Sequence, residues 1–143
     1  MRFMLRTRAL QLAVAAALMA GGGIVTQSSA GALTGGCDIT GSSPGVHIGA
    51  DGYAVFGTEG DDVIVARGDC FTIDGFGGND RITFLAGGYV KHQVIYGGPG
   101  DDRICTRNGY RDTVDGGPGH DKVLADPRDI VVSATEVNHL NCS

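Results

Sequence analysis

Gly57-Thr58-Glu59-Gly60-Asp61-Asp62-Val63-Ile64 is the first of four segments with one pattern. The others are Gly75-Phe76-Gly77-Gly78-Asn79-Asp80-Arg81-Ile82, Gly97-Gly98-Pro99-Gly100-Asp101-Asp102-Arg103-Ile104 and Gly116-Gly117-Pro118-Gly119-His120-Asp121-Lys122-Val123. Each reads Gly-(Gly)-x-Gly-x-Asp-x-aliphatic. Recurrence over roughly 18–22 residues marks an architecture in which every copy is one structural unit and neighbours stack.

The local physics follows from the residue types. Six residues of glycine and acid suit neither a strand interior nor a helix. They suit a turn whose backbone enters positive φ and leaves no room for Cβ. The aliphatic residue two places after each aspartate starts a short strand: Val63-Ile64-Val65, Ile82-Thr83-Phe84, Ile104-Cys105 and Val123-Leu124. A second short apolar stretch precedes each turn: Tyr53-Ala54-Val55-Phe56, Phe71-Thr72-Ile73, Gln93-Val94-Ile95-Tyr96 and Thr113-Val114. Each period is therefore predicted to hold two strands and two turns. Stacked periods pair strand on strand, with the aliphatic side chains inward. One period buries little, and four make a thin core that calls for staples or metals. The opposite turns, through Arg67-Gly68-Asp69, Ala86-Gly87-Gly88-Tyr89 and Arg107-Asn108-Gly109-Tyr110, lack the signature and read as ordinary loops. The extra residues of the longest period fall between Leu85 and His92.

Composition agrees. The chain has 143 residues, of which 25 are glycine, 16 are acidic and 11 are basic, for a formal charge of -5. Glycine is not every third residue, so collagen is excluded. So much glycine disfavours a long helical bundle. A net acidic chain repels phosphate, so nucleic acid is not an expected partner.

The flanks set the compartment. Arg2, Arg6 and Arg8 precede an apolar run from Ala9 to Ala20, then Gly21-Gly22-Gly23 and the small residues Ser28-Ser29-Ala30. This is the layout of a secretory signal peptide over residues 1–30. The run is too short for a membrane span. The predicted location is extracellular. The four cysteines, Cys37, Cys70, Cys105 and Cys142, read as two disulfides with three pairings open. Cys37 with Cys70 and Cys105 with Cys142 would staple each end to the middle. Residues 31–52 read as an N-terminal cap and residues 53–126 as the repeats. Residues 127–143 read as a capping strand, Asp129-Ile130-Val131-Val132-Ser133-Ala134, and a polar tail, with Asp126-Pro127 breaking the ladder.

The fourfold pattern resembles the nonapeptide Gly-Gly-x-Gly-x-Asp-x-aliphatic-x of the RTX, or haemolysin-type, calcium-binding family. The resemblance implies an all-β fold, a short parallel β-roll with calcium in the turns of one side. It implies about two to four calcium ions. Their ligands would be the carboxylates of Asp62, Asp80, Asp102 and Asp121. Backbone carbonyls near Gly57, Gly60, Gly75, Gly78, Gly97, Gly100, Gly116 and Gly119 would complete the set. A hard cation wanting six to eight oxygens suits such turns, and stacked carboxylates repel without one. Two turns depart from the pattern: Thr58 and Phe76 stand where the second glycine belongs. His120 stands at the fifth position, occupied by Asp or Asn in the other copies.

The remaining residues have plainer expectations. Asp61 and Asp101 point to solvent, and Asp74 and Asp115 cap the turns that follow. Arg81, Arg103 and Lys122 form an outward stripe. The histidines His47, His92, His120 and His139 lie at the surface. The tyrosines pad strands and loops, and the Arg67-Gly68-Asp69 tripeptide carries no adhesive role. No catalytic constellation is present, so the chain is expected not to be an enzyme. The expected function is calcium binding by a secreted repeat protein, coupled to folding. The alternative is an extracellular adhesion or binding module for a protein or cell-wall component, with calcium purely structural.

Overall fold

A computed structural model describes residues 36–85, 92–139 and 142. The expected signal peptide, the start of the cap at 31–35, and the loop containing Ala86-Gly87-Gly88-Tyr89 lie outside the described residues.

Among the described residues, twelve strands run in chain order. They are β1 (Cys37–Ile39), β2 (His47–Ile48), β3 (Ala54–Thr58), β4 (Val63–Gly68), β5 (Thr72–Phe76), β6 (Arg81–Leu85), β7 (Val94–Tyr96), β8 (Arg103–Cys105), β9 (Thr113–Asp115), β10 (Lys122–Leu124), β11 (Ile130–Ser133) and β12 (Glu136–Asn138). They form two six-stranded sheets, and from β3 onward successive strands alternate between them. One has the order β1-β4-β6-β8-β10-β12, the other β11-β9-β7-β5-β3-β2. From β3 to β12 every pairing is parallel. This is the all-β, parallel β-roll that the resemblance implies, with the two strands per period that the spacing predicts.

The repeat's aliphatic positions explain the register. Ile64, Ile82, Ile104, Val123 and Val137 align across one sheet. Val55, Ile73, Ile95, Val114 and Val131 align across the other. Side chains alternate faces along a strand, so each short strand sends one central aliphatic residue inward. Except for Val131 and Val137 in the last coil, these residues are fully buried, joined by Ala66 and Phe84. The core is one aliphatic column against another.

The N-terminal end is closed by an irregular coil, and β11 and β12 are the last strands at the other end. At the start, β1 and β2 pair antiparallel with β4 and β3, which satisfies edge groups that an open roll would expose. The Cys37–Cys70 disulfide ties this cap to the first opposite turn. Cys105–Cys142 ties the tail to β8. At the C-terminal end two expectations are corrected. Asp126-Pro127 does not break the ladder. It forms the turn between β10 and β11, where proline's missing N–H costs no sheet bond, and the stack continues through a further coil. The polar tail also contains a strand, β12, paired with β10.

Candidate metal centre

The glycine-rich turns connect β3 to β4, β5 to β6, β7 to β8 and β9 to β10, so all four lie on one side of the roll. Their stacking depends on missing side chains. A Cβ on Gly100, at φ +147°, would run into the carbonyl of Gly78. A Cβ on Gly78, at φ +111°, would lie 2.5 Å from the carbonyl carbon of Gly60. The fourth-position glycines therefore let successive turns approach backbone to backbone.

Two rows of side chains link the turns, in opposite senses. In the inner row, the N–H of Asp62 donates to Asp80 Oδ1 at 2.9 Å. Asp80 N–H donates to Asp102 Oδ1 at 2.8 Å, and Asp102 N–H to Asp121 Oδ1 at 3.0 Å. Each of these carboxylates reaches back to the preceding turn. In the outer row, Asn79 N–H donates to Asp61 Oδ1, Asp101 N–H to Asn79 Oδ1, and His120 N–H to Asp101 Oδ1. Asp61 and Asp101 are exposed as expected, but each also holds the following turn. Asp74 Oδ1 and Asp115 Oδ1 accept the N–H groups of Phe76 and Gly117, which is the capping expected of them.

The second oxygen of the inner row decides the chemistry. Asp80, Asp102 and Asp121 are 1%, 2% and 0% exposed, and the Oδ2 atom of each has no hydrogen-bond partner. An unpaired buried acceptor is costly, and an ionised one more so. Each Oδ2 lies over the α-carbon of its own turn's first glycine, Gly75, Gly97 or Gly116, in space that a Cβ would fill. Burial pushes the carboxyl of Asp80 up to about 6, opposed by the Asp62 N–H and reinforced by Asp102, Asp62 and Asp61. Burial likewise raises Asp102 to about 6, opposed by the Asp80 N–H and reinforced by Asp121 and Asp101. A cation would remove both penalties.

The donor set fits a hard cation. Among the described residues, no three His, Cys, Asp or Glu side chains gather into a metal-binding group. The inner row supplies one carboxylate per turn, so further ligands must be backbone carbonyls and water. That all-oxygen set suits calcium and not zinc. Asp62 differs: its Oδ2 accepts the N–H of Thr58 at 2.6 Å and the Thr58 hydroxyl at 2.9 Å.

The opposite turns are not the plain loops that were expected. They carry a second row: Gln93 N–H donates to Asp112 Oδ1 at 3.0 Å, and Asp112 N–H to Asp129 Oδ1 at 2.9 Å. Here the outer oxygens are satisfied. Asp112 Oδ2 accepts the Asn108 amide at 2.6 Å. Asp129 Oδ2 accepts the Thr106 hydroxyl and the Asp126 N–H, both at 2.8 Å. Burial still raises the Asp112 carboxyl, against the N–H of Gln93 and the amide of Asn108. The signal for this row was Asp112-Thr113-Val114 and Asp129-Ile130-Val131. Both repeat the Asp-x-aliphatic half of the pattern without its glycines.

Other expected surface features sit as follows. Arg67 pairs with Asp38 at 2.8 Å and Asp69 is buried, so the tripeptide is not presented as a free loop. Arg81, Arg103 and Lys122 share one register row, and Lys122 pairs with Glu136 at 2.9 Å. His139 is exposed, as expected, with Nδ1 2.8 Å from the Ala125 carbonyl. No helix among the described residues is long and apolar enough to cross a membrane.

The family model described as RTX calcium-binding nonapeptide repeat (4 copies) matches residues 72–89, 94–110 and 108–126. The first glycine turn, from Gly57, precedes the matched segments. No curated protein and no solved structure matches the chain.

Proposed function

We propose that this chain, which matches the RTX calcium-binding nonapeptide repeat over residues 72–89 and 94–126, is a secreted calcium-binding protein that completes its fold when calcium enters the glycine turns. The observation that carries the proposal is the set of three buried Oδ2 atoms without partners, on Asp80, Asp102 and Asp121. These carboxylates would hold the metal together with carbonyls of the flanking glycines. Calcium would supply a charge that neutralises the inner row and a centre that draws successive turns together. Binding to the folded state alone stabilises it by mass action, about 2.7 kcal/mol per site at a hundredfold excess over Kd. Sites in the millimolar class suffice outside a cell, which agrees with the signal-peptide pattern of residues 1–30. The role is binding and not catalysis.

The test is far-UV circular dichroism and thermal melting of the oxidised protein in EDTA and in millimolar calcium. A rise in β signal and melting midpoint with calcium supports the proposal. Identical spectra and midpoints in both would refute it.

A second function, docking to an extracellular partner, has one supporting observation. Tyr53 and Phe71 meet edge-to-face at 5.5 Å beside the first opposite turn, and Phe71 is 52% exposed. Replacing Phe71 with Ser would leave calcium binding intact under either function. It would weaken attachment to cell-wall material only under the second.

A further inference from the structure

Six aspartates of this roll stand two residues before an aliphatic residue of a strand, and they fall into two groups. Asp80, Asp102 and Asp121 keep a buried oxygen without a partner. Asp62, Asp112 and Asp129 have theirs filled by Thr58, Asn108 and Thr106, with the Asp126 N–H also on Asp129. We propose that metal loading is confined to the three consecutive turns of Asp80, Asp102 and Asp121, and that side-chain donors stand in for the metal in the first turn and along the opposite side. The proposal rests on the calcium function above.

The first turn shows how the exchange works. In the second turn, the N–H of Phe76 is taken by Asp74, and in the fourth the N–H of Gly117 is taken by Asp115. In the third turn, Gly98 N–H is taken by the Gly116 carbonyl at 3.1 Å. In all three turns the backbone at this position is left-handed, with φ of 67°, 101° and 92°. The N–H is thereby turned away from the inner carboxylate. In the first turn, Phe56 occupies the register position of Asp74 and offers no acceptor. Thr58 stays in the strand, and its N–H and hydroxyl both land on Asp62 Oδ2. Two donors use the lone pairs that a cation would need, and their positive ends face the place it would occupy. Asn108 does the same to Asp112 through a single amide. Tyr96 holds the register position of Phe56 in the third turn, so Thr58, through its two donors, is what makes the first turn a fixed, metal-independent base on which the calcium-dependent turns stack.

Counting bound calcium by native mass spectrometry and calorimetry tests this. Asp62→Asn and Asp112→Asn should keep the wild-type ion count, and Asp102→Asn should lose at least one ion. The double variant Phe56→Asp, Thr58→Gly rebuilds the repeat in the first turn and should gain one. Loss of an ion in Asp62→Asn equal to that in Asp102→Asn would overturn the proposal, as would a folded double variant with an unchanged count. If the double variant does not fold, the comparison of Asp62→Asn with Asp102→Asn decides alone. A wild type that binds no calcium at all would instead overturn the calcium function, and this proposal with it.

Discussion

Asp80 faces Asp62 across one turn of the roll: its Oδ1 accepts the Asp62 N–H at 2.9 Å, while its Oδ2, equally buried, accepts nothing. One carboxylate thus has a structural oxygen and a vacant one. The structural oxygen sets the spacing of the turns. The vacant one is expensive in the absence of a cation. Most of the expected behaviour of the protein follows from that division.

Asp102→Asn keeps an oxygen for the Asp80 N–H but removes the charge from the inner row. The expected outcome is a smaller calcium-induced rise in stability, by about 2–3 kcal/mol at a hundredfold excess of calcium over Kd, for one lost site. Denaturant titration in EDTA and in calcium measures it. An unchanged calcium increment would remove Asp102 from the ligand set.

The pH dependence has a definite sign. Asp80 and Asp102 are held near 6 in the fold against 3.8 for an ordinary aspartate, chiefly by burial. Between those values the folded state binds more protons than the unfolded one. Their contribution to metal-free stability is therefore fully present below about 4 and is lost as pH rises through about 6. The raised Asp112 acts in the same direction. Glu136, lowered by its bond to Lys122, acts in the opposite one from an exposed position. Calcium needs the ionised carboxylates, so its apparent affinity should rise over the same window, with protons released on binding near pH 6. Melting midpoints from pH 4 to 7.5, with and without calcium, check both trends.

Gly100→Ala should be far more damaging than Gly41→Ala. Both glycines have positive φ, so each substitution carries about 1–2 kcal/mol of backbone strain. At Gly41 the new methyl meets nothing, whereas at Gly100 it enters the Gly78 carbonyl and separates two turns. A loss beyond about 3 kcal/mol is expected at Gly100, together with weakened calcium binding. Urea unfolding of the two variants makes the comparison.

The disulfides should matter most before calcium is added. Cys37–Cys70 and Cys105–Cys142 span 33 and 37 residues and anchor the two ends. Removing either pair by Cys→Ser should cost about 2–5 kcal/mol. Melting in EDTA should show this more clearly than melting in calcium, where the turns are held by the metal.

The strands and their columns could be read from the residues because the inward positions are marked by Ile or Val at fixed distance from an aspartate. Ile64, Ile82, Ile104 and Val123 announce their own register. The caps could not be read that way. His47-Ile48 and Glu136-Val137-Asn138 are too short and too polar to signal strands, and they become strands because β3 and β10 present edges to pair with. The inter-turn role of Asp112 and Asp129 is not legible in the sequence, because the glycines that flag the other turns are missing around them. Thr58 was visible as a departure. That its two donors fill Asp62 Oδ2 follows from Thr58 staying in β3 where Phe76, Gly98 and Gly117 turn left-handed, a backbone difference that local pattern does not carry.

The most direct measurement is a calorimetric titration of the oxidised protein with calcium, run beside magnesium. Three vacant buried carboxylate oxygens predict saturable heat with calcium, little with magnesium, and a melting midpoint that falls when EDTA is added. Absence of calcium heat, with a midpoint indifferent to EDTA, would contradict a calcium-binding role for the inner row.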